Sequence, residues 1–368
     1  MASVEKILVR GVNWLGDAVM TTPALQRLRE AKPRAHITLL THEKLADLWW
    51  QHPSLDGVMT FAPGESVWSV ARRLRAENFN TAIVFPNSPR SALEVFFARI
   101  PRRVGCARNW RSVFLTDAAP SRQDAVRMHK RSRAEIDERL AGNAPRETFR
   151  AQAHHVHDYL LLASQVGGNP SPVPTLLHVS DAEAEAIRAR FRMANDAPFF
   201  ALSPGAEYGP AKRWPVERFV EAAVQLHQRT QCHWLIVGGR GDRELAAGVA
   251  SQVAARVGSG PVTNAAGETS LRELCAALKA SDVVLTNDTG PMHVAAAVGT
   301  PVVVPFGSTA PELTGPSYVP TSPHHLLVGE AACAPCFRRE CPIDFRCMKS
   351  ISVEQVVKNA LDAWGMCR

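Results

Sequence analysis

The chain has 368 residues, 46% of them hydrophobic and 21% charged, the balance of a folded globular protein with room for two domains rather than of a disordered or fibrous one. No run approaches the roughly 18 uninterrupted apolar residues of a membrane span, and MASVEKILVRG enters a strand-like run without a signal-peptide core, so a cytoplasmic protein is expected. The net charge of +7 is concentrated between Arg99 and Arg133, where nine arginines and Lys130 face Asp117 and Asp124, while no nucleic-acid-binding motif accompanies them.

In chain order, Lys6–Arg10 is a short apolar strand, and Val19–Ala31 has helical spacing stopped by Pro33. Strands at His36–Thr41, Val58–Phe61, Thr81–Pro86 and Arg103–Cys106 alternate with helices at Glu43–Gln51, Val67–Ala76 and Ser88–Ala98. Residues 107–150 are Arg-rich and weakly periodic, the pattern of an inserted region covering one face. A helix over 153–167 is followed by the stiff, proline-rich Asn169–Thr175. The second block places strands at Phe199–Pro204, His233–Gly239, Asp282–Asp288 and Pro301–Gly307. Its helices are Pro215–Arg229, Arg243–Arg256, Leu271–Ala280, Met292–Val298 and a last one at Val353–Trp364. Near-continuous apolar strands joined by helices predict an α/β protein with two Rossmann-like, doubly wound parallel sheets facing a cleft. The expected divisions are 1–170, 171–350 and a C-terminal helix, 351–368, placed to pack back on the N-terminal domain.

Three segments have the composition of sites. In RGVNWLGDAVMTTPALQRLR (Arg10–Arg29) a strand passes through a Gly-containing loop into a helix, with Gly16 and Asp17 at the carboxyl end of the strand, where doubly wound sheets bind ligands. Asp17 there can take a proton from an attacking hydroxyl, or merely cap the helix. In SPGAEYGPAKRWP (Ser203–Pro215), Ser203 and Gly205 can donate to a diphosphate, Lys212 supplies a cation, and Trp214 packs beneath the loop. In TNDTGPMHVAAAVGTP (Thr286–Pro301), Asp288 ends a strand and Thr289 and Gly290 open a helix whose free amides favour an anion; His293 faces either that anion or the core. Asp242, in VGGRGD, can reach a ribose hydroxyl or start a helix. The basic stretch containing Arg99, Arg102 and Arg103 suits phosphates or is a solvated face. Cys333, Cys336, Cys341 and Cys347 are spaced Cys-x2-Cys-x4-Cys-x5-Cys, loosely matching a zinc site and equally open to free thiols or a redox-labile pair.

Together these three segments, in this order, resemble the heptosyltransferases of lipopolysaccharide core synthesis over nearly the whole chain. NWLGDAVMTTPAL, SPGAEYGPAKRWP and NDTGPMHVAAAVGTPVVVPFG carry the likeness, and the middle one is most similar to heptosyltransferase II. The resemblance implies a GT-B-like fold, with an N-terminal acceptor domain and a C-terminal domain for an ADP-heptose donor. It implies a lipid A–Kdo acceptor already bearing a heptose, met at the inner membrane, with inversion and no divalent ion or other cofactor. By position Asp17 matches the family's general base, Lys212 its phosphate-binding lysine, and Asp288, Thr289 and Gly290 its donor-binding turn. The alternatives are a sister transferase adding the first or a later heptose, and a nucleotide-binding module without catalysis.

Overall fold

The computed structural model describes residues 4–108, 110–193, 197–316, 318–319 and 322–366. In chain order the first elements are β1 (Lys6–Arg10), α1 (Leu15–Met20), α2 (Thr22–Ala31), β2 (His36–His42), β3 (Gly57–Phe61), α3 (Val67–Ala76), β4 (Thr81–Val84), α4 (Pro89–Phe97), β5 (Arg102–Cys106), β6 (Asp117–Ala119), α5 (Arg133–Ala141) and α6 (Val156–Ser164). There follow α7 (Asp181–Arg190), β7 (Phe199–Ser203), α8 (Val216–Thr230), β8 (His233–Ile236), α9 (Arg243–Val257), β9 (Val262–Asn264), α10 (Leu271–Ala280), β10 (Val283–Thr286), α11 (Gly290–Ala297), β11 (Val302–Phe306), α12 (Pro311–Thr314), β12 (His325–Val328), α13 (Arg346–Lys349) and α14 (Val353–Gly365).

The chain divides into two compact units. One contains the residues up to Ala125 together with Gln152–His178; the other contains Val126–Ala151 and everything from Val179 onward. Each has one six-stranded sheet, β3-β2-β1-β4-β5-β6 in the first and β9-β8-β7-β10-β11-β12 in the second, and every pairing is parallel. Counted within its own unit, each sheet has the strand order 3-2-1-4-5-6, the doubly wound arrangement that the apolar runs predict. Ile7, Leu8, Val9, Ala82, Ile83 and Val84 are completely buried, as strands covered on both faces must be. In this strand order the connections leave β1 and β4, or β7 and β10, toward opposite faces, which opens a crevice at the carboxyl ends of those strands.

Local differences from the expected elements have local causes. The helix expected at Val19–Ala31 is two helices: the Thr21 and Thr22 hydroxyls donate back to the carbonyls of Ala18 (2.7 Å) and Val19 (2.8 Å), and Pro23 lacks the amide that would continue the ladder. Glu43–Trp49 is 3-10 rather than α. The short strands β6, β9 and β12 and helix α7 went unseen in the periodicity, although Ser180 and Glu183 make a full capping box at the start of α7.

Two expected divisions are corrected. The changeover lies at 178/179 rather than 170/171, and residues 126–151 belong to the second unit. Ile136 of α5 is buried against Cys333 and Cys336. The Arg131 amide donates to the Cys336 carbonyl (3.0 Å), its guanidinium to the Cys333 carbonyl (2.8 Å), and Arg139 to that of Ala332 (2.7 Å). The last helix, α14, packs on its own unit's sheet, where Val356, Val357, Ala360 and Ala363 join the core and Trp364 meets Phe200 edge to face at 6.2 Å. Its apolar stripe has a ready partner within its own unit.

Truncating the 1%-exposed Ile136 to Ala is expected to cost about 2–4 kcal/mol locally. Hydrogen exchange should then quicken in 131–141 and 333–337 and leave β1 and β7 protected.

Candidate active site

At the first sheet's switch point the chain leaves β1 through Gly11–Trp14. Arg10 is buried there, with Nε 2.8 Å from Glu94 Oε2 and Nη1 donating to the Gly11 carbonyl (2.6 Å) and to Asn13 Oδ1 (3.3 Å). Arg90 Nε meets the other Glu94 oxygen at 3.0 Å, so the buried carboxylate is paired on both sides. This knot holds the loop that starts α1. The N-cap of α1 is Trp14, in extended conformation and without a side-chain cap. Gly16 and Asp17 lie in the first turn, so Asp17 is not the helix cap, and its negative charge is favoured by the helix dipole. Burial raises the Tyr159 hydroxyl well above its ordinary pKa, and the charges of Asp17 and Asp158 add to this, so a neutral phenol neighbours Asp17.

Arg99, Arg102 and Arg103 are not at this edge, so the structure does not bring them together with Asp17. Arg102 opens β5, in register with Thr81 and, through β4, with Ile7, whereas Asp17 follows the far end of β1. The separation along the strands is roughly 10 Å. Arg102 is spent on Asp117 (3.1 Å) and the Gln165 carbonyl (2.7 Å), and Arg103 on the carbonyls of Phe114 (2.8 Å) and Ile100 (2.6 Å). Arg99 is exposed just beyond α4. The basic groups past the carboxyl end of β5 are instead Arg108 and Arg122, the latter 2.7 Å from Asp158. Both lower the pKa of His155, after burial, which is the larger cause. No spacing signal distinguishes them from the other arginines.

The second switch point gathers the other two segments. Ser203 ends β7 and is buried; Asp288 follows β10 and is 3% exposed. Asn287 closes the loop between them: its Nδ2 donates to the carbonyls of Pro204 (2.8 Å) and Gly205 (3.2 Å), and its Oδ1 accepts from the Trp214 amide (2.8 Å). Trp214 packs beneath the loop as expected, its indole N–H on the Ile351 carbonyl at 3.1 Å. So fastened, the loop brings Lys212 Nζ to 2.6 Å from Asp288 Oδ2, and the Thr309 hydroxyl donates to the same oxygen at 2.6 Å. Burial acts to raise the Asp288 carboxyl; the charge of Lys212 and the hydrogen bonds from Lys212 and Thr309 outweigh it, so its pKa falls below the ordinary value and it stays ionised.

Thr289 is the N-cap of α11 with no side-chain cap and Gly290 is its first residue, so the Gly290 amide opens the helix next to Asp288; Pro291 has no amide, and the Met292 amide donates to the Thr289 carbonyl (3.1 Å). His293, one turn in, is buried near the pair. Desolvation pushes it down to about 4, Asp288 acting against the shift and Lys212 with it, so the imidazole is neutral at neutral pH. The Asp242 carboxylate accepts from the Gly239 amide (3.0 Å) and packs over Gly205, where a Cβ would stand 2.4 Å from Asp242 Oδ1. Gly209 has φ +149°, and a Cβ there would meet the Arg339 carbonyl oxygen at 2.5 Å. The structure therefore brings Ser203, Gly205, Lys212, Asp242, Asp288, Thr289, Gly290 and His293 to one sheet edge. Asn287 and Thr309, which the sequence reading passed over, hold that arrangement together.

Cys333, Cys336, Cys341 and Cys347 line one small pocket with Ile136, Ser308 and Ile343. Burial raises the thiol of Cys333, and that of Cys347 to about 12, and the neighbouring thiols add to both. Among the described residues no group of three or more His, Cys, Asp or Glu side chains is placed to hold a metal ion.

Residues 128–345 match the profile of glycosyltransferase family 9 (heptosyltransferase). The chain belongs to that family. It is 30% identical to the lipopolysaccharide heptosyltransferase 2 of Salmonella typhimurium over 327 residues, 84% of this chain and 85% of that one, and 29% identical to its Escherichia coli counterpart over the same length. The solved structure of E. coli ADP-heptose lps heptosyltransferase II superposes with a TM-score of 0.75 at 25% identity, covering 98% of this chain and 99% of that one. This family 9 transferase thus has the GT-B-like pairing of doubly wound sheets expected from its sequence.

Asn287→Ala leaves three buried backbone groups without their partner and is expected to destabilise the second unit by about 2–3 kcal/mol, read from denaturant unfolding. His293 sets a pH dependence. Its folded pKa lies below the ordinary 6.5, so the unfolded chain takes the proton first, and stability is lost as pH falls from 6.5 toward 4. The slope from one such group is at most about 1.4 kcal/mol per pH unit. Buried His52 and half-buried His324 act in the same sense, so His293→Gln should lose less stability on acidification than the wild type, though not become insensitive to it.

Proposed function

We propose that this enzyme transfers L-glycero-D-manno-heptose from ADP-heptose, with inversion, onto the heptosyl-Kdo-lipid A inner core of lipopolysaccharide. The observation that carries the reading is the Lys212–Asp288 pair beside the Gly290 start of α11, at the switch point of a sheet in a family 9 chain whose relatives are named heptosyltransferase 2. A cation and a helix N-terminus together form a place for the diphosphate. In this reading Ser203, Gly205, Thr289 and Gly290 hold phosphate oxygens, Asp242 meets the ribose, and His293 stays a neutral donor or acceptor.

The reaction is a single displacement. The acceptor hydroxyl attacks the anomeric carbon, its proton passes to Asp17, and the bond to the ADP oxygen breaks with its electron pair going to the diphosphate. Lys212 and the Gly290 amide at the start of α11 receive that growing negative charge, the role a divalent ion fills elsewhere, so no metal or other cofactor enters the proposed step. Asp17 suits the base role because it is half-buried in the first turn of α1, past the carboxyl end of β1. The phosphates and carboxylates of the acceptor would be met by Arg108 and Arg122 rather than by the arginines at the opposite edge. The acceptor is a lipid, so the enzyme works peripherally at the cytoplasmic face of the inner membrane; among the described residues no helix is long and apolar enough to cross it.

Purified protein given ADP-heptose and a delipidated heptosyl-Kdo acceptor is expected to release ADP and add one heptose. Asp17→Asn should lower kcat by about 10²–10⁴ while ADP affinity changes little. Lys212→Ala should weaken both ADP binding and turnover. Transfer only to a Kdo acceptor lacking heptose would move the assignment to a sister enzyme. Tight ADP binding without transfer to any acceptor would leave a nucleotide-binding module.

A further inference from the structure

The first unit carries a surface that the proposed reaction does not use. Trp68 of α3 stacks on Phe97 of α4 at 4.0 Å, Phe96 meets Phe97 at 5.5 Å, and Phe96 meets Phe114 of the 3-10 turn Arg111–Phe114 at 5.3 Å. Trp68 is 65% exposed. At the head of the turn Trp110 is 96% exposed, and Val113 is 76% exposed. Trp110 is the N-cap of that turn, with left-handed backbone (φ +61°), and Val113 lies within it, so both exposed side chains belong to the segment that Phe114 anchors. Phe97 and Phe114 pack below against the core formed by Val70, Leu74, Ala92 and Val95, so this is a braced platform and not a loose loop. A single exposed tryptophan is ordinary; a continuous aromatic line across three elements is not.

The charge around it is one-sided. Residues 65–77 and 89–119 hold nine arginines against four acids, Glu65, Glu77, Glu94 and Asp117; of the nine, Arg108 lies at the site edge and Arg111 is buried, and Glu65 is paired with Arg73 at 2.9 Å. Glu94 is buried between Arg10 and Arg90, and Asp117 is taken by Arg102. Arg103 lies over the Phe96 ring at 5.5 Å, Arg75 donates to the Phe97 carbonyl, and Arg99 is exposed at the end of α4. Arg99 and Arg103 stand away from the edge that carries Asp17, and with Arg75 they flank the apolar line.

We propose that the face formed by α3, α4 and the 3-10 turn Arg111–Phe114 docks the enzyme on an anionic lipid surface, with Trp110, Val113 and Trp68 entering the headgroup layer and the arginines meeting lipid phosphates. Indole rings favour that boundary because one part of the ring is apolar and the N–H is wet. Basic side chains add attraction to anionic headgroups that falls off within a Debye length. A second copy of the same face would set arginines against arginines, which disfavours self-association through it. The inference rests on the proposed function insofar as that reading supplies a lipid-linked acceptor.

The full chain is tested by cosedimentation with vesicles of phosphatidylcholine alone and of phosphatidylcholine mixed with phosphatidylglycerol. Binding is expected to the mixed vesicles, about tenfold weaker to the neutral ones and weakened similarly by raised salt. The variant Trp68→Ser/Trp110→Ser/Val113→Ser should lose roughly tenfold or more of that binding, with an unchanged melting temperature and unchanged turnover of a delipidated acceptor. Equal binding by variant and wild type, or no vesicle binding by the wild type, overturns the proposal. So does a wild-type dimer that the variant splits, which would give the face to a second copy. If vesicle binding and its loss hold while neither protein turns over the soluble acceptor, the docking face stands and the proposed reaction falls.

Discussion

A carboxylate kept ionised inside a protein needs a countercharge and hydrogen bonds, and much of the second unit is arranged around meeting that need for Asp288. Lys212 supplies the charge and Thr309 the hydroxyl. Lys212 reaches it only because the loop from Ser203 to Trp214 is folded back and closed by Asn287. That loop is in turn buttressed from outside: Tyr208 donates to the Phe337 carbonyl, Lys212 and Arg339 lie over its ring, and the Ala211 amide donates to the Arg339 carbonyl. The cysteine-rich segment therefore acts first as a wall behind the cation.

The same chain of support explains where residues 126–151 go. They pack over the cysteines through Ile136, Arg131 and Arg139, and Arg146 reaches Glu312 at 3.1 Å. A segment that looks like an insertion in the first block thus stiffens the donor-side loop of the second. In the first unit the corresponding knot is Glu94 between Arg10 and Arg90, which fixes the turn leading to Asp17. Both knots lie at the switch points of sheets with the same strand order, so two unrelated local devices serve equivalent places in the fold.

What the sequence by itself determined was the repeating pattern: apolar runs buried on both faces, helices between them, and Gly- and Pro-punctuated loops after β1, β7 and β10. Those features are local, because strand burial, helix spacing and turn chemistry are written in neighbouring residues, and the family resemblance rests on the same stretches. For that reason Lys212 and Asp288 each stood out in the sequence as separate candidates. Their pairing was not, since it spans a long stretch of chain and depends on Asn287, whose side chain signals nothing until two strands lie side by side.

Only the tertiary structure decided which edge each charge occupies. Arg99, Arg102 and Arg103 look like Arg108 and Arg122 in sequence, yet they stand at opposite ends of β5, because a run of like charges carries no record of strand direction. Likewise the amphipathic stripe of α14 specified that the helix must be covered but not by what; its own unit's sheet was the surface within reach. Contacts between distant segments, and the edge at which a strand begins or ends, are settled by how parallel strands are ordered, and that order exists only in the folded chain.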